Sequence, residues 1–397
     1  MKILFLFSLT CIMFLSTSVC GMLSIKNTVI SAYTPFVIYF VFHSLPRIRK
    51  EGIRMPLFIL ALAVVFILVK LVIGQDYFKT YLCFLGFPMM VAICLQYETW
   101  KNIVCLRKLL FLFFIIECGL AIYEKSIGAN VFPDRTDSMT AEQLMYYNPE
   151  DWEFRSGSIW GHPLANAMIV VVFMSFMVIS KIKVQYVIPL ITLGYISLYC
   201  FNARGSIIVA SVLVMPMLVY RVHRSKYKYR KWIYLALALI AFCLLKVLMN
   251  TSFGGRMFMG DELMDGSAQT RLDVFRFVDF ISLTDLLLGS PDLYLFVMNK
   301  LNAGGVENGV ITLILAHGLI ITIIILYNLF KFQYLSLKQA YSRFETFWLL
   351  AVFYIIGMMN PNLSAPVQWT FWILCYYGFR KVKIKIENSN GKENNVN

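Results

Sequence analysis

The sequence predicts an all-α integral membrane protein with about twelve transmembrane helices, on three observations. The chain is 59% hydrophobic and only 15% charged, whereas soluble domains carry roughly a quarter charged residues. Apolar runs close to the roughly 20 residues that cross a bilayer recur from end to end. Lysine and arginine also alternate in abundance between successive loops, as topology rules require.

The runs fall near 3–20, 27–43, 55–74, 78–96, 106–123, 163–180, 184–200, 206–220, 232–249, 306–327, 346–359 and 366–379. The first has signal-like features, with Lys2 before the apolar run and Ser18, Cys20 and Gly21 after it. With the other spans behind it, an uncleaved first helix is expected. Residues 1–380 read as a single polytopic domain and 381–397 as a polar cytoplasmic tail. Nine cysteines, mostly within the runs and without metal-ligand spacing, read as small packing residues.

Orientation follows from the basic residues. Alternate loops hold Arg47 and Arg54, then Arg107 and Lys108, then Lys181 and Lys183, then Arg221 through Lys231, then Lys331 to Arg343, and finally the tail. These loops are assigned to the inside, which leaves both termini cytoplasmic. The net charge of +14 is thereby accounted for by topology and anionic headgroups, and no nucleic-acid partner is expected. Most acidic residues fall outside.

Two outer loops, 124–162 and 250–305, are too long to be mere connections. They contain Trp152, Phe154, Trp160, Phe275, Phe277 and Phe280, a composition that favours order. The working surface is therefore expected to face outward. Apolar steps of three and four residues predict an interfacial helix over 271–288, stopped by Gly289, Ser290 and Pro291. Three ionisable residues lie within predicted spans: Lys70, Glu117 and Lys246. The two lysines, close to helix ends, are expected to snorkel. Glu117 has a shorter stem and is expected to line an outer cavity.

Six outward arginines stand out: Arg135, Arg155, Arg204, Arg256, Arg271 and Arg276. The guanidinium fork suits bidentate binding of phosphate or carboxylate. Arg276 has Asp273 and Asp279 three residues away on either side, so local pairing accounts for it. Arg135 is flanked by Asp134 and Asp137. Arg271 and Arg204 have no such neighbour and rank first, followed by Arg155 and Arg256.

Four stretches carry a family resemblance. They are Arg155-Ser-Gly-Ser-Ile-Trp-Gly-His-Pro-Leu-Ala-Asn-Ala167, Asn202-Ala-Arg204-Gly-Ser206, Arg271 through Leu288-Gly289, and Glu307-Asn308-Gly-Val-Ile-Thr-Leu-Ile-Leu-Ala-His-Gly318. In this order, and on the outer side, they resemble the bacterial O-antigen polymerases and O-antigen ligases. Glu307 stands where ligase members have a histidine, which favours a polymerase. The resemblance implies a cofactor-free, metal-independent glycosyl transfer at the outer face of a bacterial plasma membrane. The donor it implies is a polyprenyl-diphosphate-linked oligosaccharide, and the acceptor a lipid-linked repeat unit. It assigns Arg271 and Arg204 to the diphosphate, with Arg155, Arg256 and Arg276 in support, and Glu307 to the acceptor hydroxyl. Glu307 has a second reading, as the ion-pair partner of an outer arginine. His162, Asn308 and Glu117 join as substrate contacts, while His317 reads as a packing residue. A chain-length regulator and a flippase are implied partners. The alternatives are a ligase of the same family or a flippase of lipid-linked oligosaccharide.

Overall fold

The computed structural model describes residues 2–25, 28–48, 53–132, 154–224, 231, 234, 274–301, 306, 308–359 and 361–380. Every regular element among them is a helix. In chain order these are α1 (Lys2–Phe14), α2 (Thr17–Met22), α3 (Thr28–Tyr39), α4 (Arg54–Val72), α5 (Phe78–Tyr81), α6 (Phe87–Gln96) and α7 (Trp100–Ile127). Next come α8 (Pro163–Ile179), α9 (Val184–Cys200), α10 (Arg204–Val209), α11 (Met215–Arg224), α12 (Leu283–Leu288) and α13 (Pro291–Leu301). The last four are α14 (Gly309–His317), α15 (Leu319–Ala340), α16 (Arg343–Met358) and α17 (Pro366–Phe379).

Two helices form the centre. α8 buries every residue except Leu164, and α17 buries every residue from Gln368 to Phe379. A helix that is apolar all round is buried in protein or lipid, and here protein surrounds both. α17 accordingly packs against α6, α7 and α8, and α8 also meets α9 and α16. Outer helices do the opposite. α4 leaves Phe58, Val64, Val65, Leu68, Val69, Leu71 and Val72 exposed, and α15 leaves Ile320, Ile323 and Tyr327 exposed. So much exposed hydrocarbon is stable only against lipid. Among the described residues five helical stretches are long and apolar enough to cross a bilayer: Val29–Arg47, Arg54–Val72, Phe78–Gln96, Arg204–Arg224 and Leu319–Ala340. The chain is an α-helical membrane protein.

The two ends of the bundle differ chemically. The last carbonyls of a helix lack intrahelical donors and carry the negative end of its dipole. Arg221 supplies donors for α8, bonding the carbonyls of Met177 (3.0 Å), Val178 (2.6 Å) and Ile182. Arg107 does the same for α17 through Gly378 O at 2.6 Å. Arginine thus caps both central helices at one end. The opposite end, the rim, gathers the start of α8, the α9–α10 turn and the end of α7.

Several sequence expectations are corrected. The run 306–327 is not one helix: it breaks at Gly318 (φ +87°), and α15 then continues to Ala340, so Lys331 and Lys338 lie on the helix and not in a loop. The interfacial helix expected over 271–288 is a 3-10 turn (Val274–Asp279) followed by α12, because Ser282 starts a new helix by accepting from Asp285 N at 3.1 Å. The loop expected over 250–305 adds α13, and Pro291, read as part of a stop, opens it. The first run divides where Ser16 caps α2. Three helices contain π-helical turns, at Phe40–Ser44, Leu82–Gly86 and Ala210–Val214. Apart from Tyr234, the 232–249 run lies outside the described residues, as does the tail 381–397.

Candidate functional site

The first resembling stretch, from Phe154 to His162, is irregular and largely buried at the rim. Buried backbone outside a helix must find its partners elsewhere, and here the partners are side chains of neighbouring helices. Glu124, near the end of α7, accepts from Val131 N (2.8 Å), Ser156 Oγ (2.5 Å) and Ser158 N (2.8 Å). Glu117, two turns earlier on the same face, accepts from Ile159 N at 3.4 Å. Asn130 takes Gly157 N at 2.8 Å, Asn166 donates to Gly157 O, and Ser16 donates to Ile159 O. Ser158 (φ +43°) and Gly161 (φ +67°) supply the left-handed bends.

Glu124→Ala would leave two buried donors, Ser156 Oγ and Ser158 N, without this acceptor, at roughly 1–3 kcal/mol each. The expected result is a large drop in melting temperature in detergent, and an unchanged melt would remove Glu124 from this role.

This stretch grips the second one. Arg155 donates through Nε to Phe201 O (3.1 Å) and through Nη2 to Asn202 O (3.3 Å), while Ser156 N bonds Cys200 O at 3.1 Å. Asn202 adopts φ +47°, which asparagine tolerates better than most residues. The turn it makes delivers Arg204 as the first residue of α10. Two stretches 46 residues apart in sequence therefore share one patch of the rim, bearing both Arg155 and Arg204. His162 lies just before α8 with exposed surface. The protein packed around it, with the Arg155 charge adding, holds its imidazole down to about 4. It is neutral at physiological pH. A neutral imidazole exchanges hydrogen bonds with hydroxyls but adds no positive charge for an anion.

The remaining candidates divide. Arg256, Arg271 and Glu307 lie outside the described residues, as does Arg135. Arg276 is exposed and faces Asp279 at 3.9 Å, the local pairing its spacing predicted. Asn308 caps α14, its amide oxygen accepting from Val310 N (3.0 Å) and Ile311 N (3.1 Å). Glu117 does not line an open cavity: it is completely buried beneath Ser158 and Ile159. Its Oε1 has no hydrogen-bond partner among the described residues. His317 is buried, with Tyr81 and Phe84 around its ring, as expected of a packing residue.

A second rim feature has no signal in residue type alone. Lys70 does not snorkel: its side chain is fully buried beneath the end of α12. Its ammonium donates to Gln75 Oε1 (3.0 Å), Leu288 O and Gly289 O (3.2 Å), and sits 4.7 Å above the Tyr77 ring. These carbonyls end α12, which rests on the break between α14 and α15. Gly289 and Gly318 meet there backbone to backbone, and Ser290 N bonds Leu315 O at 3.0 Å. The cation of α4 thus pins the end of α12 beside a broken helix.

No protein-family model matches the chain, and no curated protein matches it significantly.

Proposed function

We propose that this chain is a polysaccharide polymerase of the bacterial plasma membrane. On this reading it has about twelve spans, with both termini inside and the rim outside. It transfers glycan from a polyprenyl-diphosphate donor to a lipid-linked repeat unit. The observation that carries the reading is the joining of the Arg155 stretch to the Asn202–Ser206 turn, which sets two guanidinium groups and a neutral imidazole on one rim patch.

In the proposed reaction an acceptor hydroxyl attacks the anomeric carbon as the carbon–oxygen bond to the diphosphate breaks. The diphosphate leaves with the bonding electrons, and the hydroxyl proton passes to a base, for which Glu307 is the candidate. Arg204 and Arg271 bind the diphosphate as its charge grows. Arg155 is a positioning residue, since it fixes the turn that carries Arg204. A chain-length regulator and an upstream flippase complete the proposed machinery.

Deleting the gene in its native host and analysing lipid-linked and surface glycans by gel and mass spectrometry tests the proposal. Single repeats at the surface, or accumulated on carrier outside, are the expected result. Long chains stranded on the carrier would instead make it a ligase. Repeats trapped on the cytoplasmic face would make it a flippase.

A further inference from the structure

At the arginine-capped end, opposite the rim, α4, α6, α15 and α17 enclose a partly open cavity of about 170 Å³. Arg54, Gln96, Ser336, Gln339, Tyr376 and Tyr377 supply its polar wall, and apolar side chains of the same helices supply the rest. Among the described residues no acidic side chain lines it, so Arg54 brings a charge that no described lining carboxylate offsets. Tyr376 donates to Ser336 O at 2.8 Å, and Tyr377 donates to Gln96 Oε1 at 3.0 Å. Gln96 keeps its side-chain N–H donors to offer. Arg380 stacks on the Tyr377 ring at 4.7 Å, and its Nε is buried without a hydrogen-bond partner among the described residues. The first turn of α4 forms part of the same wall. It has no side-chain cap, so its backbone N–H groups add to the positive field.

We propose that this cavity binds the phosphate headgroup of an anionic phospholipid. Arg54 and the side-chain amides of Gln96 and Gln339 bring donors to it, and among the described residues no lining carboxylate competes, which favours an anion. The apolar wall runs into helices whose exposed hydrocarbon faces lipid, as α4 does at Phe58 and Val65, so the acyl chains have a continuous apolar path. Basic pockets between membrane helices are where such headgroups bind. The site is remote from the rim and does not depend on the polymerase reading.

The test uses the purified full chain in detergent, titrated with short-chain phosphatidylglycerol, with phosphatidylcholine of the same chain length, and with inorganic phosphate. Native mass spectrometry and thermal shift provide the readouts. Retention of phosphatidylglycerol but not phosphatidylcholine is expected, with about five-fold weaker binding in Arg54→Gln and a further loss in Arg54→Gln/Arg380→Gln. Arg343→Gln, an exposed change on α16 away from the cavity wall, is expected to bind like the unaltered chain. Equal binding of the two lipids, or unchanged binding in the double variant, would overturn the proposal. Stabilisation by inorganic phosphate as strong as that by the lipid would assign the site to a free anion and overturn the lipid. If phosphatidylglycerol binds only after residues 381–397 are removed, the tail is the occupant and the proposal fails.

Discussion

Gly318→Ala should leave almost no folded protein. A Cβ at this position would lie 2.2 Å from Leu287 O and 2.5 Å from Leu288 C, and both are backbone atoms that no rotamer change can move. The conformation itself, φ +87° and ψ 157°, belongs to a region that essentially only glycine occupies, at roughly 1–3 kcal/mol for any other residue. Gly289 is the mirror case, with φ +66°, ψ 156° and a virtual Cβ 2.2 Å from Gly318 N. Gly289→Ala should therefore fail in the same way. Fluorescence-detected size exclusion of a tagged protein reads the result, with aggregate replacing the monodisperse peak. Gly119→Ala supplies the control, since nothing lies within 4 Å of its added Cβ. In a helix interior that change stabilises by up to about 1 kcal/mol. A normal peak from Gly318→Ala would mean that α12 does not rest on the helix break.

The second large effect concerns activity. Arg204→Ala, and equally Arg271→Ala, should abolish polymer while membrane protein stays at its usual level. Removing one preorganised donor to a developing anion typically costs about 10²–10³ in rate, enough to reduce chains to single repeats on a gel. Arg155→Ala should act differently. It removes the donors that hold Phe201 O and Asn202 O, so it should loosen the turn and lower activity together with stability. Normal polymer from both Arg204→Ala and Arg271→Ala would end the diphosphate assignment.

How much of this was legible depends on what encodes each feature. The runs 163–180, 184–200 and 366–379 agree with α8, α9 and α17 to within a residue. Proline opens two of these helices, Lys183 precedes the third, and charged residues closely follow α8 and α17, so composition itself marks most of their limits. The break at Gly318 has no such mark. Apart from His317 the residues on either side are equally apolar, and glycine is common in membrane helices. The division of 271–288 did carry a signal, the Ser282–Asp285 cap spacing, but the apolar periodicity running across it pointed to a continuous helix. The meeting of Arg155 with the 201–202 carbonyls could not be read at all, because backbone acceptors leave no trace in residue identity. The same holds for Lys70, whose partners are carbonyls. The amphipathic patterns that locate helices say nothing about which helix end will later sit above a given side chain.

The grip of Lys70 on Leu288 spans 218 positions of sequence, and this has a consequence for biosynthesis. α4 leaves the ribosome and enters the bilayer long before α12 has been synthesised. During that interval the ammonium has Gln75 nearby but none of its later carbonyl partners. A lysine left in hydrocarbon costs about 2.5–3.5 kcal/mol at mid-bilayer, so it must reach up to the headgroup layer. Snorkelling is thus the state of the nascent chain, and burial the state of the finished one. Arrival of the segment that ends α12 exchanges headgroups for carbonyls and ties α4 to the later part of the chain.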